Sequence, residues 1–194
     1  KTCIVVIHNA TGQQGTNFSS THEYAYFIYP QKGKHIGLEN RDKNPDIRPL
    51  RNVSKGAHLR SDAANCFYPI LIKDGKIIGF GDVCQDDYHP NGINVLRSDG
   101  VIEVYPIDQE GVERKWVFAR NTVESIYEDL EAKYDDKKQC WDIIRTKKKF
   151  NYKTVWTGPR YSANSYGSRI LNELIPDNSF TFPKSIFTVS FDVP

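Results

Sequence analysis

The segment YPILIKDGKIIGFGD, residues 68–82, is the clearest local pattern in the chain. Two apolar runs flank Asp74-Gly75, and this dipeptide favours a type I′ turn because both of its residues must adopt positive φ. The segment therefore predicts a β-hairpin with one strand on each side of the turn.

Other apolar runs predict further strands. Ile4–Ile7 predicts a short buried strand, and Tyr24–Tyr29 predicts a second one that Pro30 ends. Residues 31–65 are polar and basic and keep neither a period of two nor one of 3.6. This segment therefore predicts a loop with at most one short helix.

Two more hairpins are predicted downstream. Residues 101–118 alternate in hydrophobicity around a turn near Gln109-Glu110-Gly111. Trp141–Thr146 and Lys153–Thr157 could pair as a third hairpin around the basic run KKKFNYK. Together with the first hairpin, these segments predict a fold dominated by antiparallel strands.

Two helices complete the prediction. Asn121 with Glu124 three residues later forms a capping-box pattern. An apolar stripe at helical spacing follows it, formed by Val123, Ile126, Tyr127, Leu130 and Tyr134. A last helix is predicted to begin near Ser162–Ser165 and to bury Ile170, Leu171 and Leu174. The predicted fold class is α+β, with mostly antiparallel hairpins and two or three helices.

The composition is that of a globular protein. The chain has 194 residues, of which 39% are hydrophobic, and a mean hydropathy of −0.57. No apolar run approaches the roughly 20 residues that span a bilayer, so no membrane association is expected. The four cysteines and five histidines lack metal-ligand spacing, and we expect no metal site. Isolated thiols fit a reducing compartment, which predicts a cytoplasmic protein.

Charge is distributed unevenly, although the net charge is only +2. Residues 41–60 carry six basic and two acidic side chains, and residues 133–153 carry eight basic and three acidic ones. Residues 82–136 carry fourteen acids against five bases. Two basic stretches around an acidic one predict a face for a polyanion, and solvated surface is the alternative.

Nucleic-acid binding is the chemistry that the residues support best. No Walker A sequence, GxGxxG or nucleophile elbow occurs, and no catalytic residue is predicted. Arginine can grip guanine bidentately, whereas lysine suits phosphate. In the second basic stretch and just after it, Phe150, Tyr152 and Trp156 could stack on bases or could face the core. The predicted DNA-binding residues are Arg41, Arg48, Arg51, Lys55, Arg60, Lys147, Lys148, Lys149, Lys153 and Arg160.

Several segments resemble β-class amino-methyltransferases of DNA, most closely the modification subunits of bacterial type III restriction-modification systems. Residues 8–30, HNATGQQGTNFSSTHEYAYFIYP, resemble the stretch after that family's catalytic motif, and THEYAYF within them resembles a late strand of its core. Residues 48–72 and 99–118 resemble its target-recognition region. VWTGPRYSANSYGSRIL (155–171) and FTFPKSIFTV (180–189) resemble the return to its core.

The resemblance implies a domain organisation. Residues 1–35 would be a remnant of the methyltransferase core, residues 36–175 the target-recognition domain, and residues 176–194 the start of the return to the core. Short pieces of a methyltransferase core would therefore flank the antiparallel fold.

The resemblance also implies a function for the parent protein. The parent would transfer a methyl group from S-adenosylmethionine to the exocyclic amine of adenine at a specific site in duplex DNA. Its partners would be the rest of the modification subunit and a restriction subunit with nuclease and translocase activity. Phe182, Pro183 and Lys184 would contribute part of the cofactor site.

Two departures from the family limit what this chain is expected to do. The catalytic Asp-Pro-Pro-Tyr and the glycine-rich cofactor motif do not occur in it. We therefore expect the chain alone to bind no cofactor and to be inactive. It also lacks methionine, which indicates a piece of a longer protein. The alternative is a free-standing DNA-binding module or an accessory of a restriction nuclease without methyl transfer.

Overall fold

The computed structural model describes residues 1–54 and 56–190. In chain order, its strands are β1 (Thr2–Ile7), β2 (His22–Phe27), β3 (Leu38–Asn40), β4 (Asp46–Pro49), β5 (Ile70–Lys73), β6 (Lys76–Phe80), β7 (Asn94–Leu96), β8 (Ile102–Val104), β9 (Leu130–Asp135), β10 (Cys140–Lys147), β11 (Lys149–Asn151) and β12 (Val155–Trp156). The α-helices are α1 (Arg169–Leu174) and α2 (Ile186–Val189). Antiparallel pairs dominate, so the predicted α+β class is confirmed.

The chain divides into two compact units. The first comprises residues 1–39 and 150–194, and the second comprises residues 40–149. The short strands β3 and β11 pair with each other at the residues where the chain leaves and re-enters the first unit. The structural division thus falls at residues 39/40 and 149/150, and the assignment of residues 36–175 to a recognition domain stays a prediction.

The first unit is built on a three-stranded sheet in the order β12-β1-β2. β2 pairs with β1 antiparallel and β12 pairs with it parallel, with Val6 opposite Trp156. Alternate residues of β1 point inward, and Ile4 and Val6 bury against Trp156 and Tyr161. The two strands predicted at the start of the chain are therefore confirmed.

The second unit contains two sheets that share its larger apolar cluster. A four-stranded sheet runs β6-β5-β8-β7, and a three-stranded sheet runs β4-β10-β9. Side chains from both sheets meet in the core, and the Trp116 indole donates to the Tyr68 carbonyl at 2.7 Å. The core residues of this cluster are Leu50, Tyr68, Ile70, Ile72, Ile77, Val104, Trp116, Val123, Ala132 and Ile143.

The hairpin predicted at residues 68–82 is confirmed. β5 and β6 pair with Lys73 opposite Lys76, and the turn residues Asp74 and Gly75 have φ of 50° and 74°. Positive φ at both positions is the geometry of the predicted turn, and glycine adopts it without the steric cost of a side chain.

The hairpin predicted for residues 101–118 is only partly present. β8 pairs with β5 and with β7, a strand that was not predicted. The predicted turn does occur, because the Asp108 amide bonds to the Val112 carbonyl and Gly111 has a φ of 78°. In place of a second strand, Glu113, Arg114 and Trp116 form isolated bridges, including the one between Ile107 and Glu113.

The Asp108 carboxylate holds this turn together. It accepts from the amides of Glu110 and Val112 at 3.1 and 2.8 Å and from Arg114 Nε at 2.7 Å. Burial of the carboxylate opposes ionisation, but these donors outweigh it and lower the pKa of Asp108 below its usual value.

Replacing Asp108 with alanine is expected to lower the free energy of unfolding at neutral pH by about 1 to 2 kcal/mol, since charged hydrogen bonds are lost. A group whose pKa is lowered by folding stabilises above its unfolded pKa and ceases to do so as pH falls through its folded pKa. The difference between wild type and Asp108→Ala should therefore be full at pH 7 and shrink below about pH 4. Urea unfolding from pH 3 to pH 7 measures it. A difference that grows toward acid would contradict this assignment.

The helix predicted to begin at Asn121 is shorter than predicted, and the predicted cap does not form. A 3-10 helix spans Val123–Asp129, and no side-chain cap bond forms at its start. The chain then becomes β9, because pairing with β10 places Ala132 opposite Ile143 in the core. Leu130 and Tyr134 thus lie on a strand, where they share a face at a period of two.

Three other predictions need correction. Residues 31–65 are not all loop, since they contain β3 and β4. The third hairpin does not form, because β10 pairs with β4 and β9 while β12 pairs with β1. The last helix is present as a π-helical turn at Asn164–Ser168 followed by α1, but Leu174 is exposed and Ile170 and Leu171 are only half-buried.

Candidate nucleic-acid interface

The pairing of β4 with β10 brings the two basic stretches together within the second unit. The register sets Arg48 opposite Arg145 and Lys147 opposite Asp46. The loop before β4 adds to the same end of the sheet, because the Arg41 amide donates to the Lys148 carbonyl at 2.8 Å. We call this cluster the basic edge; its residues are Arg41, Lys43, Arg48, Lys147, Lys148 and Lys149.

The residues of the basic edge differ in their exposure to solvent. Lys43, Lys148 and Lys149 are exposed, whereas Arg41 and Lys147 are half-buried. The carboxylate of Asp42 accepts from the Asn40 amide group at 2.7 Å. The exposed cations Lys43, Arg48, Lys148 and Lys149 give this end of the sheet a positive charge that suits a polyanion.

Arg48 is the basic-edge arginine that can change partners. Its Nε bonds to Asp46 at 2.7 Å, but 76% of the Arg48 side chain is exposed. An exposed ion pair between neighbours on a strand contributes little stability, so a phosphate or a guanine can replace the carboxylate. Arg145 opposite is held inward, by Asp129 at 3.1 Å and over the Phe118 ring.

Arg51 does not belong to this surface, which corrects the sequence prediction. Its side chain is only 9% exposed and pairs with Asp142 at 3.1 Å. It also donates to the Ile107 carbonyl. A guanidinium in this position joins three segments of the second unit and cannot reach a base without unfolding them.

Arg60 is also structural. Its side chain is 9% exposed, and it donates to Glu113 at 3.0 Å and to the Tyr88 carbonyl at 2.7 Å. It bonds to the Gln85 carbonyl as well, and the guanidinium lies 4.1 Å from the centre of the Phe67 ring. We therefore remove both Arg51 and Arg60 from the set that could contact DNA.

The remaining predicted DNA contacts lie elsewhere. Lys55 falls outside the described residues. Lys153 and Arg160 belong to the first unit, where both are exposed, and Arg160 donates to the Tyr161 hydroxyl at 2.6 Å. The Trp156 ring faces the core and stacks on Tyr161 with ring centres 5.5 Å apart. It is therefore not available to stack on a base.

The segment predicted to contribute to a cofactor site offers little to S-adenosylmethionine by itself. Phe182 is exposed and could present one ring face, but the Lys184 ammonium is already paired with Glu23. The segment packs closely on Gly167, where a Cβ would lie 2.7 Å from the Pro183 carbonyl oxygen. The part of Phe182, Pro183 and Lys184 in a cofactor site therefore stays a prediction.

Burial raises the pKa of several titratable groups in the second unit's interior. Burial raises the pKa of the Cys66 thiol and of the Cys84 thiol, which keeps both protonated and weakly nucleophilic. Burial also raises the pKa of Tyr105, whose hydroxyl donates to Glu103. Among the described residues, no group of three His, Cys, Asp or Glu side chains could hold a metal. No helix in the described part is long and apolar enough to cross a bilayer.

Sequence reasoning omitted Lys43 from the candidate contacts. It lies between Arg41 and the Asp46 end of β4, so the strand pairing places it at the basic edge. The signal available in the sequence was its membership of the first basic stretch. Only the pairing of β4 with β10 distinguishes it from Arg51 and Arg60 in that stretch.

Comparison with known proteins gives one informative relative. No protein-family model matches the chain, and no solved structure gives a significant match. The type II methyltransferase M.KpnI of Klebsiella pneumoniae is 26% identical over 187 residues, covering 88% of this chain and 39% of that protein. The chain thus spans about two fifths of the length of this relative. The sequence of the present chain is thus similar to part of a type II methyltransferase.

Proposed function

We propose that this chain recognises duplex DNA for a site-specific adenine DNA methyltransferase. In the longer protein a catalytic core would transfer the methyl group from S-adenosylmethionine to the exocyclic amine of adenine. The similarity to a type II methyltransferase over 88% of the chain supports the methyltransferase part. The type III system, with its restriction subunit as partner, rests on the resemblance of the quoted segments.

The observation that carries the proposal is the basic edge. Residues from two stretches about a hundred positions apart converge there through the β4–β10 register. Binding of DNA at this edge would release counterions from the backbone, which supplies sequence-independent affinity. The lysines act as point charges for phosphates, and the exposed Arg48 fork can grip guanine.

The proposal assigns different roles to lysine and arginine, and selection from a pool of random duplexes at low salt tests them. Wild type is expected to enrich a sequence that contains guanine. Arg48→Ala should lose about 1 to 3 kcal/mol of discrimination at one guanine position. Lys148→Ala is the matched control on the same edge, and it should lower the yield while keeping the preference.

Two outcomes would contradict these roles. If Lys148→Ala loses the preference and Arg48→Ala keeps it, the roles are reversed. If neither variant changes enrichment, the basic edge does not contact DNA. The methyltransferase assignment has a separate test. Transfer of a labelled methyl group by this chain alone would contradict the assignment of methyl transfer to a catalytic core in the longer protein.

A further inference from the structure

The first unit contains a cavity of about 290 Å³ that plays no part in the proposed function. Its lining comes from the start of β1, the end of β2, the loop of residues 33–37 and residues 151–156. All of these residues belong to the first unit. The volume lies just below the range for ligand sites, which is roughly 300 to 1,000 Å³.

Aromatic rings form much of the wall. The Tyr29 and His35 rings lie 5.7 Å apart at an interplanar angle of 33°. Phe27 and Trp156, which also line the cavity, meet edge to face with ring centres 5.9 Å apart. Such a wall suits a flat aromatic ligand, because rings stack on the π-face of any base.

Hydrogen bonds hold two of these rings in place. The Tyr29 hydroxyl bonds to the Thr2 hydroxyl, and His35 Nε2 bonds to the Lys32 carbonyl at 2.8 Å. Gly33 has a φ of 104°, and a Cβ there would lie 3.3 Å from His35 Cε1. The loop can therefore turn the His35 ring back over the cavity because residue 33 is glycine.

Charge at the cavity has one sign. Lys34 and Lys153 line it, and none of its described lining residues is a carboxylate. Both lysines are exposed. A ligand with a ring and an anionic group would therefore match both the wall and the charge.

We propose that this cavity binds an unpaired nucleotide. The base stacks against Tyr29 and His35, and the phosphate lies near Lys34 and Lys153. The nucleotide is either free or part of a single-stranded DNA segment, and the chemistry at the cavity is the same in both cases. The cavity is independent of the basic edge, so this site can exist whether or not the proposed duplex recognition is correct.

Binding to the whole chain tests the proposal with three probes: deoxyadenosine monophosphate, adenosine and a short oligothymidylate. Equilibrium dialysis measures the first two, and fluorescence anisotropy measures the labelled oligonucleotide. His35→Ala should weaken binding of the monophosphate and the oligonucleotide about tenfold, through loss of one stacking partner. The double variant Lys34→Ala/Lys153→Ala should reduce the salt slope for the oligonucleotide by about 1.4.

Lys32→Ala is the matched control. It removes one cation from the same loop without touching the cavity lining, and it leaves the carbonyl that holds His35. It should bind all probes as wild type does. Since Lys34, His35 and Lys153 are exposed, the variants should keep the thermal transition of wild type, which circular dichroism checks.

Comparing the monophosphate with the oligonucleotide distinguishes a free nucleotide from a DNA strand. Oligonucleotide binding much tighter than monophosphate binding identifies a DNA strand, and equal binding identifies a free nucleotide. The proposal is overturned if neither phosphate-bearing probe saturates, if His35→Ala binds like wild type, or if adenosine binds as tightly as the monophosphate. Loss of duplex binding in basic-edge variants, with monophosphate binding unchanged, would show that the two sites are separate.

Discussion

Replacing Arg60 with methionine is expected to lower the free energy of unfolding of the second unit by about 3 to 5 kcal/mol. Removing one partner of a buried charge pair leaves the other uncompensated, which is the costliest way to break it. Here Glu113 loses its buried cation and keeps only the exposed His89. The carbonyls of Gln85 and Tyr88 lose a donor as well.

Arg48→Met is the matched control for this substitution. It removes the same side chain from an exposed position whose ion pair contributes little, so unfolding should change by less than about 0.5 kcal/mol. Chemical denaturation of the three proteins measures both effects. Equal stabilities of the Arg60 and Arg48 variants would show that Arg60 is not a structural residue and would return it to the candidate DNA contacts.

Removing lysines from the basic edge is expected to have the largest effect on DNA binding. The variant Lys43→Ala/Lys148→Ala/Lys149→Ala loses three exposed cations from one surface. Affinity for duplex DNA at low salt should fall at least tenfold, and by about the same factor for two unrelated duplexes. Two duplexes are needed because DNA shape can hide or imitate a base contact.

A triple variant elsewhere controls for net charge. Lys73→Ala/Lys76→Ala/Lys137→Ala also removes three exposed lysines from the second unit, all outside the basic edge. It should bind within about threefold of wild type, because screened charges distant from the contact contribute little. If both triple variants bind equally weakly, the affinity comes from overall charge, and the basic edge has no special role.

The sequence predicted an element correctly where a local pattern determines it without tertiary contacts. Asp74-Gly75 fixes a turn between adjacent strands, so the fifteen residues 68–82 were enough to predict the hairpin. The segment from Val123 to Tyr134 was ambiguous, because its apolar residues fit a helix and also place Leu130, Ala132 and Tyr134 on one face of a strand. Pairing of β9 with β10 decides between the two, and this contact is tertiary.

The sequence predicted the positive charge of the candidate site, but it did not predict which basic residues lie on the surface. Composition alone shows that residues 41–60 are basic. It does not show that Arg51 pairs with Asp142, 91 residues away, or that Arg60 pairs with Glu113, 53 residues away. Sequence reasoning chose these arginines for their bidentate chemistry, and that same chemistry lets them join distant segments in the interior.

The salt dependence of duplex binding by the wild-type chain tests the central claim most directly. If about four to six phosphates are neutralised, log K should fall linearly against log salt with a slope of about −4 to −5. Anisotropy titrations of one labelled duplex at several salt concentrations give this slope. We expect weak binding with that slope. A slope near zero, or no binding at low salt, would contradict it.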